Sequence, residues 1–251
     1  MLYIRWQMAE LIKAAADPRE VPTRVALDGQ AQWEERSAVR MLEARRERVL
    51  DRSRQIVEAA YRLLEDGGLE GLTIRAVLSK TGLSRRAFYE RFADKDELML
   101  AVFEEVMRVA ARTYRAQMRT VREPMERLRL IVICVVLGRS SLDAPGSPSG
   151  SLQGAAMSRE HLRLAQSRPQ DLQAALSPLL TLIAQQLADG MRAGAVRQDD
   201  SQRLASLIYN LVSTTVHTEL LTQKTSQPDW PRRLQLAVDI WEFCRRAIAA
   251  T

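Results

Sequence analysis

Hydrophobic residues recur at helical spacing along most of the chain. Three stretches, residues 56–64, 204–216 and 234–248, follow the spacing of a helix with one buried face. Residues 131–136 are rich in β-branched side chains, which also suit a buried strand. Because Pro124 precedes this stretch, a glycine follows it and no second strand lies nearby, we interpret it as a buried helix. The pattern predicts an all-α fold.

Clusters of Gly, Pro and Ser divide this helical pattern. Residues 138–154 contain four Gly, two Pro and five Ser, a composition that predicts a mobile loop. Near the N-terminus, two prolines separate a short amphipathic start from a strongly charged stretch. We predict an N-terminal extension over 1–44, a compact helical unit over 45–97, and a longer helical domain over 98–251.

Composition and charge narrow the range of functions. The 251 residues are 46% hydrophobic and 27% charged, which is the balance of an ordinary globular protein. A net charge of +6 is compatible with a polyanionic partner but does not establish one. The longest apolar run, residues 130–137, is far shorter than the roughly 20 residues of a membrane helix. The N-terminus does not read as a secretory signal, so we expect a cytoplasmic protein with no membrane partner.

Residues that carry catalytic or metal chemistry are sparse. Two cysteines and two histidines predict neither a disulfide framework nor a metal site, and no cofactor is expected. Residues 146–150 superficially resemble a nucleophile elbow, but Pro148 occupies the central position and no strand precedes it. We find no plausible Ser/His/Asp set and no phosphate-binding glycine loop, so we do not expect an enzyme.

Glycines and N-cap residues mark three helix boundaries in the first third of the chain. Gly67 and Gly68 favour the end of a helix, because glycine readily adopts the left-handed cap conformation. Thr73 and Ser84 are typical N-caps of two short helices, and Gly82 lies in the turn between them.

The two short helices, predicted over 74–80 and 85–91, form a helix-turn-helix unit. The second helix of such a unit lies in the major groove of DNA with its first residues at base edges. Here those residues are Arg85 and Arg86, whose guanidinium groups match guanine or phosphate in a bidentate manner. Tyr89 follows one turn later, and its hydroxyl can reach a phosphate.

A further helix begins directly after this unit. Asp94 and Glu97 have the spacing of a capping box. Lys95 therefore lies in a first helical turn, beside backbone amides that have no helical partner, and this combination binds phosphate well.

These residues, in this order and spacing, resemble the DNA-binding domain of the TetR family of bacterial transcriptional regulators. Residues 194–199 also resemble the turn before the penultimate helix of that family. The matching residues of the N-terminal segment are Ile56, Ala59, Ala60, Gly67, Leu72, Thr73, Ile74, Thr81, Gly82, Leu83, Ser84, Phe88, Tyr89, Arg91, Phe92, Asp94, Lys95, Glu97 and Leu98.

The resemblance implies a ligand-responsive repressor that binds a palindromic operator as a homodimer. It assigns DNA binding to 45–97, and effector binding and dimerisation to 98–251, with the dimer formed by the last two helices at about 200–223 and 231–249. The family's phosphate contacts correspond to Thr73, Tyr89 and Lys95, and its base or backbone contacts to Arg75, Ser84, Arg85 and Arg86.

Two positions depart from the family pattern. Arg86 stands where glycine is common, so we expect an altered operator preference. Leu78 stands where a small alanine usually permits close packing, so we expect a different angle between the short helices. Phe88 and Phe92, four residues apart on one face, are predicted to be core.

Simpler interpretations stay open for several of these residues. Arg85 and Arg86 also fit a solvated helix face, and Tyr89 also fits a partly buried core position. The basic run at 45–48 fits either an arm that reaches the minor groove or a charged helical extension.

The helices after residue 98 contain Met, Cys, aromatic and His side chains that suit an adaptable effector pocket or an ordinary core. The two histidines are interpreted as a surface residue, His161, and a semi-buried one, His217, rather than as metal ligands. The candidate pocket residues are Tyr114, Met118, Cys134, Met157, Tyr209 and His217.

One alternative function belongs to a different class. The chain would then be a helical small-molecule enzyme or interaction protein with a vestigial DNA-binding unit. Sequence-selective, salt-sensitive retention of DNA distinguishes the regulator from this alternative.

Overall fold

The computed structural model describes residues 32–138, 149–222 and 229–250. Within these ranges the backbone is helical apart from short turns, and one isolated antiparallel bridge joins Val196 to Ala249. The prediction of an all-α fold is confirmed. The helices are α1 (Gln32–Gly71), α2 (Ile74–Thr81), α3 (Arg85–Tyr89), α4 (Lys95–Gln117), α5 (Pro124–Leu137), α6 (Ser149–Ser167), α7 (Pro169–Arg192), α8 (Ser201–Thr222) and α9 (Trp230–Ile248).

The chain divides into two compact units, Met1–Val49 and Leu50–Thr251. In the first unit, the described residues 32–49 belong to α1 and are almost all exposed. The basic run at 45–48 is helical, so of its two interpretations the helical extension describes its backbone. The predicted amphipathic start lies outside the described residues, as do 139–148, which include the Pro148 segment.

The start of the second unit contains a break in α1 at a glycine and a group of buried hydrophobic residues. The helical hydrogen bonding of α1 extends to Gly71, but Gly68 interrupts it with a φ of +62°, which is the left-handed break predicted at the glycine pair. Eight buried residues before α4 belong to the hydrophobic core: Ile56, Ala59, Ala60, Leu64, Leu72, Val77, Phe88 and Phe92. The core positions predicted for Phe88 and Phe92 are confirmed.

The longer helices pack α4 against α7, α7 against α8, and α5 against both α7 and α9. The β-branched stretch at 131–136 lies in α5 and is largely buried, as predicted. Pro124 occupies the first turn of α5, where its missing N–H costs no hydrogen bond. Gly138 closes the helix in the left-handed conformation, with its N–H donating to carbonyl oxygens of the last turn.

The predicted loop at 138–154 is too long at its C-terminal end. Helix α6 begins at Ser149, so residues 149–154 are helical despite their serine and glycine content. The second half of α6 is anchored by buried side chains, Leu164 among them, and extending an existing helix adds one hydrogen bond for each residue fixed. Tertiary anchoring therefore outweighs the weak local propensity.

Candidate DNA-binding surface

Side-chain caps fix the starts of the two short helices. The Thr73 hydroxyl accepts a hydrogen bond of 3.0 Å from the Ala76 N–H, and the Ser84 hydroxyl accepts one of 3.2 Å from the Ala87 N–H. Gly82 has a φ of +68°, and its N–H donates to the Leu78 carbonyl at 2.9 Å. These bonds satisfy amides and carbonyls that helix ends leave unpaired, and they form the turn that the sequence predicts.

One side of helix α3 is anchored in the core. Phe88 is completely buried, and its ring is perpendicular to that of Tyr89 at 5.3 Å and lies 5.7 Å from that of Phe92, measured between ring centroids. The helix ends at Tyr89, two residues earlier than predicted. The Phe88 anchor fixes the rotation of this short helix about its axis, which decides which residues face solvent.

The opposite side of α3 is exposed. Arg85 and Arg86 face solvent, and the Arg86 side chain is 89% exposed while its Nε donates to Glu90 Oε1 at 3.0 Å. Tyr89 is 51% exposed, which disfavours the partly buried core interpretation of its side chain. Two arginines and one phenol hydroxyl are therefore displayed together on a helix of five residues.

Helix α2 also exposes an arginine that is predicted to contact DNA. Arg75, in its first turn, is exposed, whereas Leu78 is half-buried and packs on the core. The leucine at this position therefore adds to the hydrophobic packing of the core.

The hydrogen bonds at the start of α4 resemble the capping box that the sequence predicts, with one difference. Asp94 accepts a hydrogen bond of 2.8 Å from the Glu97 N–H. The Glu97 carboxylate accepts one of 2.6 Å from the Ala93 N–H, one residue before the position expected in a capping box. Lys95 is half-exposed and lies in this first turn. All seven residues predicted to contact DNA thus lie on α2, on α3, at the N-caps of these two helices or at the start of α4.

Two further arginines, which the sequence does not predict to lie here, contact this helix start. Arg163 binds the Asp96 carboxylate through two hydrogen bonds of 2.6 and 2.9 Å, and Arg168 lies 3.3 Å from Asp94. The hydrogen bond from Arg163 lowers the pKa of Asp96 below its ordinary value. These partners are 67 and 74 residues apart in the chain, and no local pattern signals their contact.

The candidate pocket residues include two groups of interior neighbours. Tyr114 and Cys134 are both buried, and burial together with the nearby Cys134 thiol raises the pKa of Tyr114. Met118 is also buried, in the short turn that follows α4. Burial raises the pKa of Tyr209 as well, on α8.

The second group centres on His161. Its ring lies 6.2 Å from that of Phe103 and 6.0 Å from that of Tyr209, and its side chain is half-buried rather than fully on the surface as predicted. Burial, with a smaller contribution from His217, lowers the pKa of His161. His217 is buried, and its Nδ1 has no hydrogen-bond partner. Met157, half-buried, lies one turn before His161 on α6.

Helices α8 and α9 present large apolar side chains to solvent. Leu207 is 59% exposed and Phe243 is 64% exposed, and Leu234 and Val238 are exposed as well. Exposed apolar groups of this size on neighbouring elements are typical of an interaction surface.

The described ranges contain neither a membrane-spanning helix nor a cluster of metal-ligating side chains. None of the helices there is long and apolar enough to cross a membrane. The same residues contain no group of three or more His, Cys, Asp or Glu side chains arranged to hold a metal ion.

Comparisons with known proteins agree with the helix-turn-helix geometry. Residues 56–102 match the family model described as bacterial regulatory proteins, tetR family. The transcriptional repressor Rv1474c of Mycobacterium tuberculosis is 27% identical over 174 residues, which cover 66% of this chain and 92% of that protein. The repressor AcnR of Corynebacterium efficiens is 41% identical over 51 residues, 20% of this chain and 27% of its own length.

A solved structure shares the fold. FadR of Thermus thermophilus, a TetR-family repressor in complex with lauroyl-CoA, matches with a TM-score of 0.57 and 19% identity, over 76% of this chain and 93% of that chain. Together with the family match over the helix-turn-helix, this bears out the resemblance drawn from the sequence. Residues 56–102 of the chain are therefore the DNA-binding domain of the TetR family of bacterial transcriptional regulators.

Proposed function

We propose that this regulator is a repressor that binds a palindromic operator as a homodimer and leaves it when a small molecule binds. The observation that carries the proposal is helix α3: a buried Phe88 anchors one side, and the other side displays Arg85, Arg86 and Tyr89. A rigid helix with exposed arginines at its start suits readout of base edges in a major groove.

Contacts with phosphates would hold this helix in the groove. Thr73, Arg75 and Ser84 lie at the starts of the short helices, where backbone amides point outward. Lys95 adds a positive charge in the first turn of the long helix α4. Such contacts position the protein on DNA, and they make its affinity depend on salt.

The exposed apolar residues of α8 and α9 support a homodimer. A second copy packed against Leu207 and Phe243 through the same two helices would bury them in a four-helix interface. Two copies each bring a charge of +6, so the dimer carries about twice that charge to the DNA. Twofold symmetry of the protein implies a palindromic operator.

The neighbouring side chains of Phe103, His161, Tyr209 and His217 support an effector site. His161 and Tyr209 pack ring to ring, and His217 Nδ1 is a buried hydrogen-bonding atom without a partner. A buried polar atom of this kind costs free energy until a ligand or water satisfies it. An effector that binds one dimer conformation more tightly than the other would shift the population away from the DNA-binding form.

Selection of bound duplexes from a random DNA pool tests this function. The proposal predicts a palindromic motif whose retention falls steeply as salt rises. Recovery of no motif by a folded dimer, shown by mass spectrometry of the denatured sample to carry no bound small molecule, would contradict it.

A further inference from the structure

We propose that Arg163 and Arg168 are positioning residues for DNA binding: they neutralise the carboxylates that flank Lys95 and so allow a phosphate to approach the start of α4. The proposal rests on the DNA-binding function proposed above. It assigns a role at the DNA surface to two residues that lie far along the chain from the helix-turn-helix.

The geometry of the contacts between the arginines and the carboxylates beside Lys95 supports this role. Arg163 approaches Asp96 with both terminal nitrogens, at 2.9 and 2.6 Å, in the bidentate arrangement typical of strong arginine–carboxylate pairs. Arg168 reaches the second oxygen of Asp94, at 3.3 Å, while the first oxygen caps α4. Both carboxylates beside Lys95 are therefore paired with arginines.

Arg163 is itself held in place by a third carboxylate. Its Nε and one terminal nitrogen bind Glu160 at 3.0 and 2.6 Å, and Glu160 is buried. The guanidinium is thus fixed between α6 and α4, and it acts through Asp96 without having to contact DNA.

The local charge balance shows why the arginines matter. Four carboxylates, those of Asp94, Asp96, Glu97 and Glu160, surround this helix start, and Lys95 is the positive charge among them. Four negative charges and one positive charge sum to −3 without the two arginines, and to −1 with them. A phosphate that approaches Lys95 meets much less repulsion when both arginines are in place.

Arg163→Gln tests this inference on the operator obtained by selection. Each dimer would then lose two positive charges, and the Asp96 and Glu160 carboxylates of both protomers would lose their arginine partner. We therefore expect about tenfold weaker binding at 50 mM salt and a smaller loss at 300 mM, where screening is stronger. Arg108→Gln is the matched control. It removes the same charge from an exposed ion pair on α4, about 20 Å along the helix from Lys95, and should change affinity less than twofold.

Asp96→Asn separates electrostatics from simple bracing. If neutralisation is the role of Arg163, Asp96→Asn alone binds DNA at least as well as wild type, and it restores affinity when combined with Arg163→Gln. If Arg163 only braces α6 against α4, Asp96→Asn alone weakens binding and rescues nothing, and this result would overturn the proposal.

The second pair provides an independent test if Arg163→Gln folds poorly. Arg168→Gln should also weaken binding at low salt, and Asp94→Asn, which can still cap the helix, should restore it. Unchanged affinity in both arginine variants would refute the inference while leaving the DNA-binding proposal intact. Failure of the wild-type protein to bind any duplex would instead refute the DNA-binding function.

Discussion

The substitution Lys95→Gln tests whether Lys95 contacts a DNA phosphate, because such a contact changes the salt dependence of binding by a predictable amount. Lys95 is half-exposed in the first turn of α4, beside carboxylates that are paired with arginines. If its ammonium group contacts one phosphate in each half-site, the variant dimer neutralises two fewer phosphates. Each such contact contributes about 0.9 to the slope of log affinity against log salt, so the slope should fall in magnitude by about 1.8.

This change of slope predicts a difference in affinity that is easy to measure. Between 50 and 200 mM salt, a slope smaller by 1.8 means that the variant loses about twelvefold less affinity than wild type does. Fluorescence anisotropy on a labelled operator at several salt concentrations gives both slopes. The free energy of unfolding should change by less than about 0.5 kcal/mol, because the substitution is at a surface position that keeps its helical backbone.

A matched variant separates a contact with DNA from a general loss of charge. Arg192→Gln removes one charge from a side chain that is 78% exposed, at the end of α7, and should leave the slope unchanged. Identical slopes for wild type and Lys95→Gln would refute the phosphate contact. Equal changes in both variants would show that net charge alone sets the salt dependence.

Three further substitutions test the phosphate contact of Tyr89, the packing of Phe88 and the proposed dimer interface. Tyr89→Phe should keep the ring contact with Phe88 but lose a hydrogen bond to phosphate in each half-site, weakening binding to all sequences by about tenfold or more in anisotropy titrations. Phe88→Ala should cost about 3–5 kcal/mol of unfolding free energy in urea titrations, because the side chain is completely buried; a loss below 1 kcal/mol would contradict the packing described. Leu207→Glu should give monomers in analytical ultracentrifugation, because it places a charge in the proposed dimer interface, and an intact dimer would place that interface elsewhere.

Local chemistry explains which features the sequence could predict. The caps at Thr73 and Ser84 and the left-handed glycine at 82 depend on residues within four positions of each other, so their spacing alone indicates the turn. The buried helix at 131–136 was also predictable, because Pro124 and Gly138 mark its ends. Its β-branched residues fit a helix because tertiary burial outweighs propensity.

Contacts between distant parts of the chain could not be predicted in this way. The pairing of Arg163 with Asp96 depends on how α6 packs against α4, and hydrophobic periodicity carries no information about that geometry. The half-buried position of His161 has the same origin, since its neighbours Phe103 and Tyr209 lie on two other helices. The start of α6 at Ser149 was missed because its serine and glycine residues are locally typical of a loop.

A comparison of the DNA motifs selected by wild type and by Arg86→Ala shows whether helix α3 reads the DNA sequence. Arg86 lies on the exposed face of α3, and truncating it would remove the base or phosphate contacts proposed for it while the buried side of the helix stays intact. We predict that wild type selects a palindrome and that Arg86→Ala selects one in which the preferred base pairs differ at symmetric positions of the two half-sites. The same motif from both proteins, with unchanged preference at every position, would contradict the assignment of α3 as the helix that reads DNA sequence.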